Sequence, residues 1–372
     1  MTPDELARLQ AGHIYDPDAE DAPEQLQLLE RLAAQGLGPE VLLAADRLGT
    51  LVLSAFEHLI RPGNRRTTAQ VAVATAIAED RLRRLWRAWG FPDPAPDEAC
   101  WTDDDVAAAE FMRDTAELAG QDWALAMARA AGTAMSRVAE AEVAFVRSKV
   151  EAPLVARGAS RATLLVQYER VIGSFLPSAA RVLDSLHRHH LADLRRRYAK
   201  VLGPTPNNLL EVTVGFADMT GSTALVERVR LEELERTLAV FEERTTDAIA
   251  RAGASLVKRL GDGVMFVSYD VAGACRLALD LVAAFPAAEG LPPIRVGMAW
   301  GTVAALRGDY FGPAVHRAAR IVASAAPGSA VVVADIAAAV RAPDLAFHSL
   351  GAYRLAGFED TVELFRCARA AA

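Results

Sequence analysis

The chain has 372 residues, 52% of them hydrophobic and 24% charged, which suits two domains with separate cores better than one. Its 40 basic and 48 acidic residues leave a formal net charge of −8, which excludes a global basic field drawing the protein to nucleic acid or an anionic membrane. The opening Met1-Thr2-Pro3-Asp4-Glu5 has no signal-peptide character and no apolar run reaches the roughly 18 residues of a membrane span, so a cytoplasmic protein with no transmembrane segment is expected.

Residues 1 to about 200 read as helices. Leu26, Leu29, Leu32 and Leu37 open an amphipathic run, and a long apolar stretch from Val41 to Ile60 ends at Arg61-Pro62-Gly63. Thr67 to Val71 starts a short helix. Asp80 to Trp89 forms another, with Leu82, Leu85, Trp86 and Trp89 at i, i+3, i+4 and i+7, stopped by Gly90-Phe91-Pro92. Thr102 with Asp105 three residues on marks the cap of the next helix. Asp122 to Lys149 reads as an Ala-rich helical hairpin broken at Gly132, and a last helix runs from Ser178 to Lys200 before Gly203-Pro204-Thr205-Pro206 ends it.

Three features of this half invite function. Arg65, Arg66, Arg81, Arg83, Arg84 and Arg87 gather around a helix-turn-helix-like unit; DNA phosphate contacts are one reading, and a solvated face beside Asp103-Asp104-Asp105 is the commoner one. Trp123, Met127 and Met135 either line an apolar ligand pocket or simply pack the helices. On the last helix Leu183, His187, His190 and Leu194 share one face, which makes His187 and His190 candidate pH-sensing residues, against ordinary helix-packing histidines. Cys100, Cys275 and Cys367 have no C-x-x-C spacing and read as buried thiols.

After residue 208 the period changes. Strands are expected at Glu211–Phe216, Ser255–Val267 (as a pair around Gly261-Asp262-Gly263), Ile294–Trp300, Ala330–Val333 and Val362–Cys367, and helices at Leu231–Ala252, Val271–Phe285 and Gly312–Ala325. The order β-α-β-β-α-β with additions is the split βαβ, ferredoxin-like arrangement. The whole is therefore an all-α N-terminal domain followed by an α+β domain.

Phe216-Ala217-Asp218-Met219-Thr220-Gly221-Ser222-Thr223 puts a carboxylate at the end of a strand, followed by a small turn whose N–H groups can meet phosphate. Lys258-Arg259-Leu260-Gly261-Asp262-Gly263 puts a second carboxylate in a hairpin turn. Central strands of a split βαβ sheet are neighbours, so Asp218 and Asp262 can share a divalent cation; a plain Asp-Gly turn is the alternative for Asp262. Lys258 stands out because only three of the 40 basic residues are lysines. Where arginine is used so freely, a lysine inside a motif signals a site that needs a compact ammonium.

With Arg307-Gly308-Asp309-Tyr310-Phe311-Gly312-Pro313 and Val315-His316-Arg317-Ala318-Ala319-Arg320, these stretches closely resemble the metal and nucleotide motifs of class III adenylyl cyclases, over about residues 209 to 368. The helical half before them resembles the regulatory region of the actinobacterial autoinhibited cyclases. The resemblance implies residues 1–177 as a helical regulatory domain, 178–208 as a linker helix and turn, and 209–372 as the catalytic domain. It implies conversion of ATP to 3′,5′-cyclic AMP and pyrophosphate in a homodimer with shared active sites. Asp218 and Asp262, helped by the Met219 carbonyl, would hold two Mg²⁺ or Mn²⁺ ions per site. Gly221, Ser222 and Thr223 would meet the phosphates, Lys258 and Asp309 would read adenine, and Arg320 would stabilise the α-phosphate. A fatty acid in the N-terminal domain is also implied as a regulator, and nucleic acid is not expected as a partner. Two positions depart from the pattern: His316 stands for a ribose-positioning Asn, and Ala356 for a phosphate-binding Lys that Arg354 could replace. The rival readings are a nucleotide-binding signalling module of weak activity and, behind it, a DNA-binding regulator.

Overall fold

The structure, a computed structural model, describes residues 1–201, 209–222, 229–286, 291–358 and 360–370. The chain divides into two compact units, residues 1–189 and 190–372. The expected turn at 203–208 lies outside the described residues.

The first unit is helical throughout: α1 (Pro3–Ala11), α2 (Ala22–Ala34), α3 (Pro39–Arg47), α4 (Leu51–Ile60), α5 (Thr68–Thr75), α6 (Glu79–Trp89), α7 (Asp103–Ala119), α8 (Gln121–Val146), a π-helical turn (Arg147–Glu151), α9 (Ala152–Ala156) and the long α10 (Arg161–Val201), whose last turns belong to the second unit. Local chemistry sets several boundaries. Thr67 and Thr102 form capping boxes with Gln70 and Asp105, and Gly90 closes α6 at φ 101°. The apolar stretch from Val41 to Ile60 is two helices, because Gly49 turns the chain at φ 70°. Leu9, Leu28, Leu32, Leu42 and Leu165 form one core; Leu82, Trp86, Trp101 and Met112 form another. Trp86 is buried as expected and packs against Trp101 with the rings tilted by 46° and 4.5 Å between centres.

Two expectations here are corrected. The Ala-rich segment is one continuous 26-residue helix rather than a hairpin. Gly132 does not break it: a Cβ there would sit 2.3 Å from the Trp89 carbonyl oxygen, so the glycine admits the end of α6 against α8. The last helix begins at Arg161, not Ser178, and continues through Pro177. A proline in a helix forfeits one N–H bond, and the other turns of a 41-residue helix outweigh that loss.

The second unit contains β1 (Leu209–Met219), α11 (Leu231–Arg251), β2 (Ser255–Arg259), β3 (Gly263–Ser268), α12 (Val271–Ala283), β4 (Ile294–Leu306), β5 (Asp309–Phe311), α13 (Pro313–Ser324), β6 (Ala330–Val333), α14 (Ala334–Ala339), β7 (Leu345–Arg354) and β8 (Thr361–Arg369). The sheet order is β2-β3-β1-β4-β6-β8-β7, with β5 paired to β4. The first four strands have the ferredoxin-like order with antiparallel neighbours, as the motif order predicts. Val212 to Gly215, Val264 to Val267 and Val296 to Ala299 are buried, so the core sits on the middle strands under α12 and α13. β5, β7 and α14 carry no sequence signal: β5 is three residues long, and β7 is largely exposed and exists through its pairing with β8.

One contact fixes the helix that carries His316 and Arg320. A Cβ on Gly297 of β4 would lie 2.2 Å from the Val322 backbone nitrogen, so α13 rests its backbone directly on the sheet. Gly297→Ala is expected to destabilise the second unit by about 2–3 kcal/mol through overpacking, read as a lowered urea midpoint of the full chain. An unchanged midpoint would show that α13 can move off the sheet freely.

Candidate active site

The carboxylates expected to share a cation are brought together. β1 and β3 pair with Asp218 opposite Gly263, so Asp262 in the β2–β3 turn stands beside the end of β1, and the Met219 N–H donates to the Asp262 carbonyl at 3.1 Å. Two carboxylates are a donor set for a hard cation that takes its remaining oxygens from water and a phosphate. Among the described residues no cluster of three or more His, Cys, Asp or Glu forms a closed metal cage. The residues present thus fit Mg²⁺ or Mn²⁺ in an open site.

A residue absent from the sequence reading completes this corner. Arg295, opposite Asp218 in the β1–β4 register, donates from Nη2 and Nε to Asp218 Oδ2 at 2.7 and 3.0 Å, and from Nη1 to the Ala323 carbonyl at 3.0 Å. It ties the carboxylate of β1 to the last turn of α13. In a chain so rich in arginine its sequence position carried no signal; only the strand register reveals it.

Lys258 on β2 and Asp309 on β5 meet, with Nζ 2.5 Å from Oδ2, and both side chains are about one-third exposed (34% and 29%). Asp309 Oδ1 also accepts the Tyr310 N–H at 2.8 Å, so one carboxylate oxygen holds the turn while the other holds the lysine. His316 and Arg320, one turn apart on α13 and both exposed, line a cleft of about 520 Å³ with Gly312, Pro313, Ala356, Gly357 and Phe358. Ala356 therefore lies in the same cleft as Arg320. Neither Asp218 nor Asp262 lines that cleft. Gly221 turns the chain after β1 at φ 76°, and Thr220 is anchored to the Pro293 carbonyl through its N–H at 2.9 Å and its hydroxyl at 2.6 Å. Gly221 and Ser222 follow that anchor; Thr223 lies outside the described residues.

The other candidates of the first unit fare differently. The arginines of the α5–α6 region are engaged within the chain: Arg84 with Asp80, Arg87 with Asp93, Arg65 with Glu57 and Arg66 with Asp103. These four arginines belong to a solvated, internally paired face. Trp123 is 54% exposed, and Met135 borders a groove with Trp89 and Phe91. An apolar cavity of about 740 Å³ lies between α4, α8 and α10, lined by Phe56, Val143, Tyr168, Ile172 and Phe175 among others. His187 and His190 are exposed, as is Leu194 at 38%, so their own chain does not supply the desolvation expected of that seam. Cys100, Cys275 and Cys367 are buried and free.

A double-mutant cycle on Arg295→Ala and Asp218→Ala, measured by urea unfolding, is expected to return a coupling of about 1–2 kcal/mol. Additive effects would mean that the pair contributes no mutual stabilisation.

Comparison with known proteins identifies the family of both parts of the chain. Residues 12–195 match the adenylate cyclase regulatory domain family, and residues 205–367 match the adenylate and guanylate cyclase catalytic domain family. An uncharacterised protein of Mycobacterium tuberculosis is 34% identical over 96% of this chain and 92% of its own length. An adenylate cyclase of Streptomyces coelicolor is 34% identical over 75% of this chain and 72% of its own length. A pH-sensitive adenylate cyclase of Mycobacterium tuberculosis is 27% identical over 94% and 89%. No described helix is long and apolar enough to cross a membrane. The chain belongs to the adenylate and guanylate cyclase family, as an adenylate cyclase whose catalytic domain follows an adenylate cyclase regulatory domain.

Proposed function

We propose that the enzyme converts ATP to 3′,5′-cyclic AMP at two composite sites of a homodimer, each taking Asp218 and Asp262 from one protomer and Lys258, Asp309 and Arg320 from its partner copy. Cyclase catalytic domains of this family are metal-dependent, bind nucleotide and dimerise. What supports the composite site is that Asp218 and Asp262 are not among the residues that line the cleft of Arg320 and His316.

Asp218 and Asp262 would hold the divalent cations, which when bound would supply Lewis acidity toward the ribose 3′-oxygen and neutralise charge on the triphosphate. The chain's own residues do the rest. Lys258 donates to a ring nitrogen of adenine and Asp309 accepts from the 6-amino group; guanine offers the opposite pattern at that edge, so the pair selects ATP. Arg320 stabilises charge on the α-phosphate during in-line displacement of pyrophosphate. His316, in the same cleft, orients the ribose by donating a ring N–H. The test is complementation: Asp218→Ala and Arg320→Ala are each expected to be inactive, and mixing them to restore one intact site per heterodimer, about a quarter of wild-type activity if subunits exchange randomly. Mixed dimers without activity would overturn the shared site.

A second reading concerns regulation, and it is favoured by the pH sensitivity in the name of a relative matching 94% of this chain. His187 and His190 sit on the exposed face of α10 close to the division between the units. Histidine is the side chain that gains charge on mild acidification, and two of them on one exposed face would alter whatever surface meets α10 there. A full two-state reversal needs about 5.5 kcal/mol, more than two histidines supply, so a graded response of about ten-fold is expected. Cyclic AMP formation by the full chain should be faster near pH 6 than near pH 8, and the His187→Ala, His190→Ala double variant should lose that difference. A double variant with the wild-type profile would place the sensor elsewhere.

A further inference from the structure

The end of α10 meets the catalytic unit through a set of groups that leads directly to the Lys258–Asp309 pair. Arg197 and Tyr198 are half-buried, unlike most of the preceding helix. Arg197 is held by Asp193 at 2.7 Å and donates through Nη1 to the Ser255 hydroxyl at 2.7 Å, and Ser255 is the first residue of β2, the strand that carries Lys258. The Tyr198 ring meets the Tyr269 ring edge to face, 6.4 Å between centres. The Tyr269 hydroxyl is 2.9 Å from the Tyr310 hydroxyl. Tyr310, 8% exposed, follows Asp309 on β5 and donates its N–H to Asp309 Oδ1. The path from helix to base-reading pair is thus continuous: Tyr198, Tyr269, Tyr310, Asp309, Lys258.

The chemistry of the path is that of a rigid strut. Burial pushes the Tyr310 and Tyr269 hydroxyls above the ordinary tyrosine value, so both keep their protons at working pH. Linked phenols in a buried setting reinforce one another, and each can donate in only one direction. Packing and β4–β5 pairing alone would hold Tyr310 as a phenylalanine equally well, yet its hydroxyl is spent on the neighbour that touches α10.

We propose that Tyr198, Tyr269 and Tyr310 are positioning residues for base recognition: the linked phenols set the place of β5, and through it of Asp309, according to the seating of the end of α10. The inference rests on the base-reading role given to Lys258 and Asp309 above. It makes ATP affinity and the preference for ATP over GTP, rather than the displacement step, the quantities that α10 controls.

The test uses the full-length chain. Tyr198→Phe, Tyr269→Phe and Tyr310→Phe keep every ring and remove one hydroxyl each. Tyr310→Phe is expected to raise KM for ATP about five- to ten-fold with kcat within about two-fold of wild type, and to lower the ATP-to-GTP ratio of kcat/KM by a similar factor, as loss of one buried hydrogen bond at a binding group would. Tyr269→Phe should match it, and Tyr198→Phe, which keeps the ring contact but removes a hydroxyl that also bears on Tyr310, should move in the same direction by less. Equilibrium binding of a non-cyclisable ATP analogue should weaken in parallel with KM. Asp309→Ala serves as the reference for the underlying reading. Should it abolish the ATP preference while all three Phe variants keep wild-type KM and preference, the strut is overturned and the base-reading pair stands. A fall in kcat at unchanged KM in the Phe variants would overturn it as well. Retention of the ATP preference by Asp309→Ala would overturn both.

Discussion

The register of β1 between β3 and β4 is the constraint from which the catalytic unit follows. β1 is buried along most of its length, and Asp218 stands one residue from its end, flanked by buried Ala217 and Met219. A slip of one residue would exchange the two faces of the strand, turning Asp218 into the core and a methionine toward the solvent. In the native register Asp218 is opposite Gly263 on one side and Arg295 on the other. The same pairing brings Asp262 beside it and sends β4 on toward β5, where Asp309 lies. Gly297 on that strand seats α13, so the position of Arg320 derives from the same ladder.

The charged groups of the site are paired internally before any substrate arrives. Asp218 is held by Arg295, and Lys258 by Asp309. Both pairs are partly exposed, so their Coulombic worth is moderate; their value is geometric, since ionised partners fix each other's rotamers. Under the roles proposed here, substrate recognition is an exchange of partners: the base replaces Lys258 for Asp309, and cation replaces part of the Arg295 charge beside Asp218. An exchange of this kind leaves no charge uncompensated in the free enzyme, where an orphaned buried carboxylate would be costly.

The regulatory half uses its charges in the opposite way. Its arginines close on neighbouring carboxylates and stitch helices together, as in Arg31 with Glu169 and Arg161 with Asp46 across more than a hundred residues. The division between the units falls inside α10, a helix unbroken by Pro177.

The sequence alone determined the two-part organisation, the ferredoxin-like strand order, the cap of α7 and the placing of Asp218 beside Asp262. The organisation and strand order were legible through hydrophobic period, the start of α7 through its capping chemistry, and the neighbourhood of Asp218 and Asp262 through the expected adjacency of their strands, whereas the grouping of Lys258 with Asp309 came from the resemblance to class III adenylyl cyclases. A scarce lysine in an arginine-rich chain added one more readable signal. Tertiary structure alone decided the role of Arg295, the tyrosine path to α10, the continuity of α8 through Gly132 and of α10 through Pro177, and the exposure of His187 and His190. Each of these depends on what a distant segment places against the residue. Gly132 looks like a helix breaker until Trp89 is seen to need its missing side chain, and Arg295 is one arginine among many until strand register sets it opposite a carboxylate 77 positions earlier. Local rules fix what a residue can do, and only the packed neighbours, brought together by burial of the common core, fix which of those things it does.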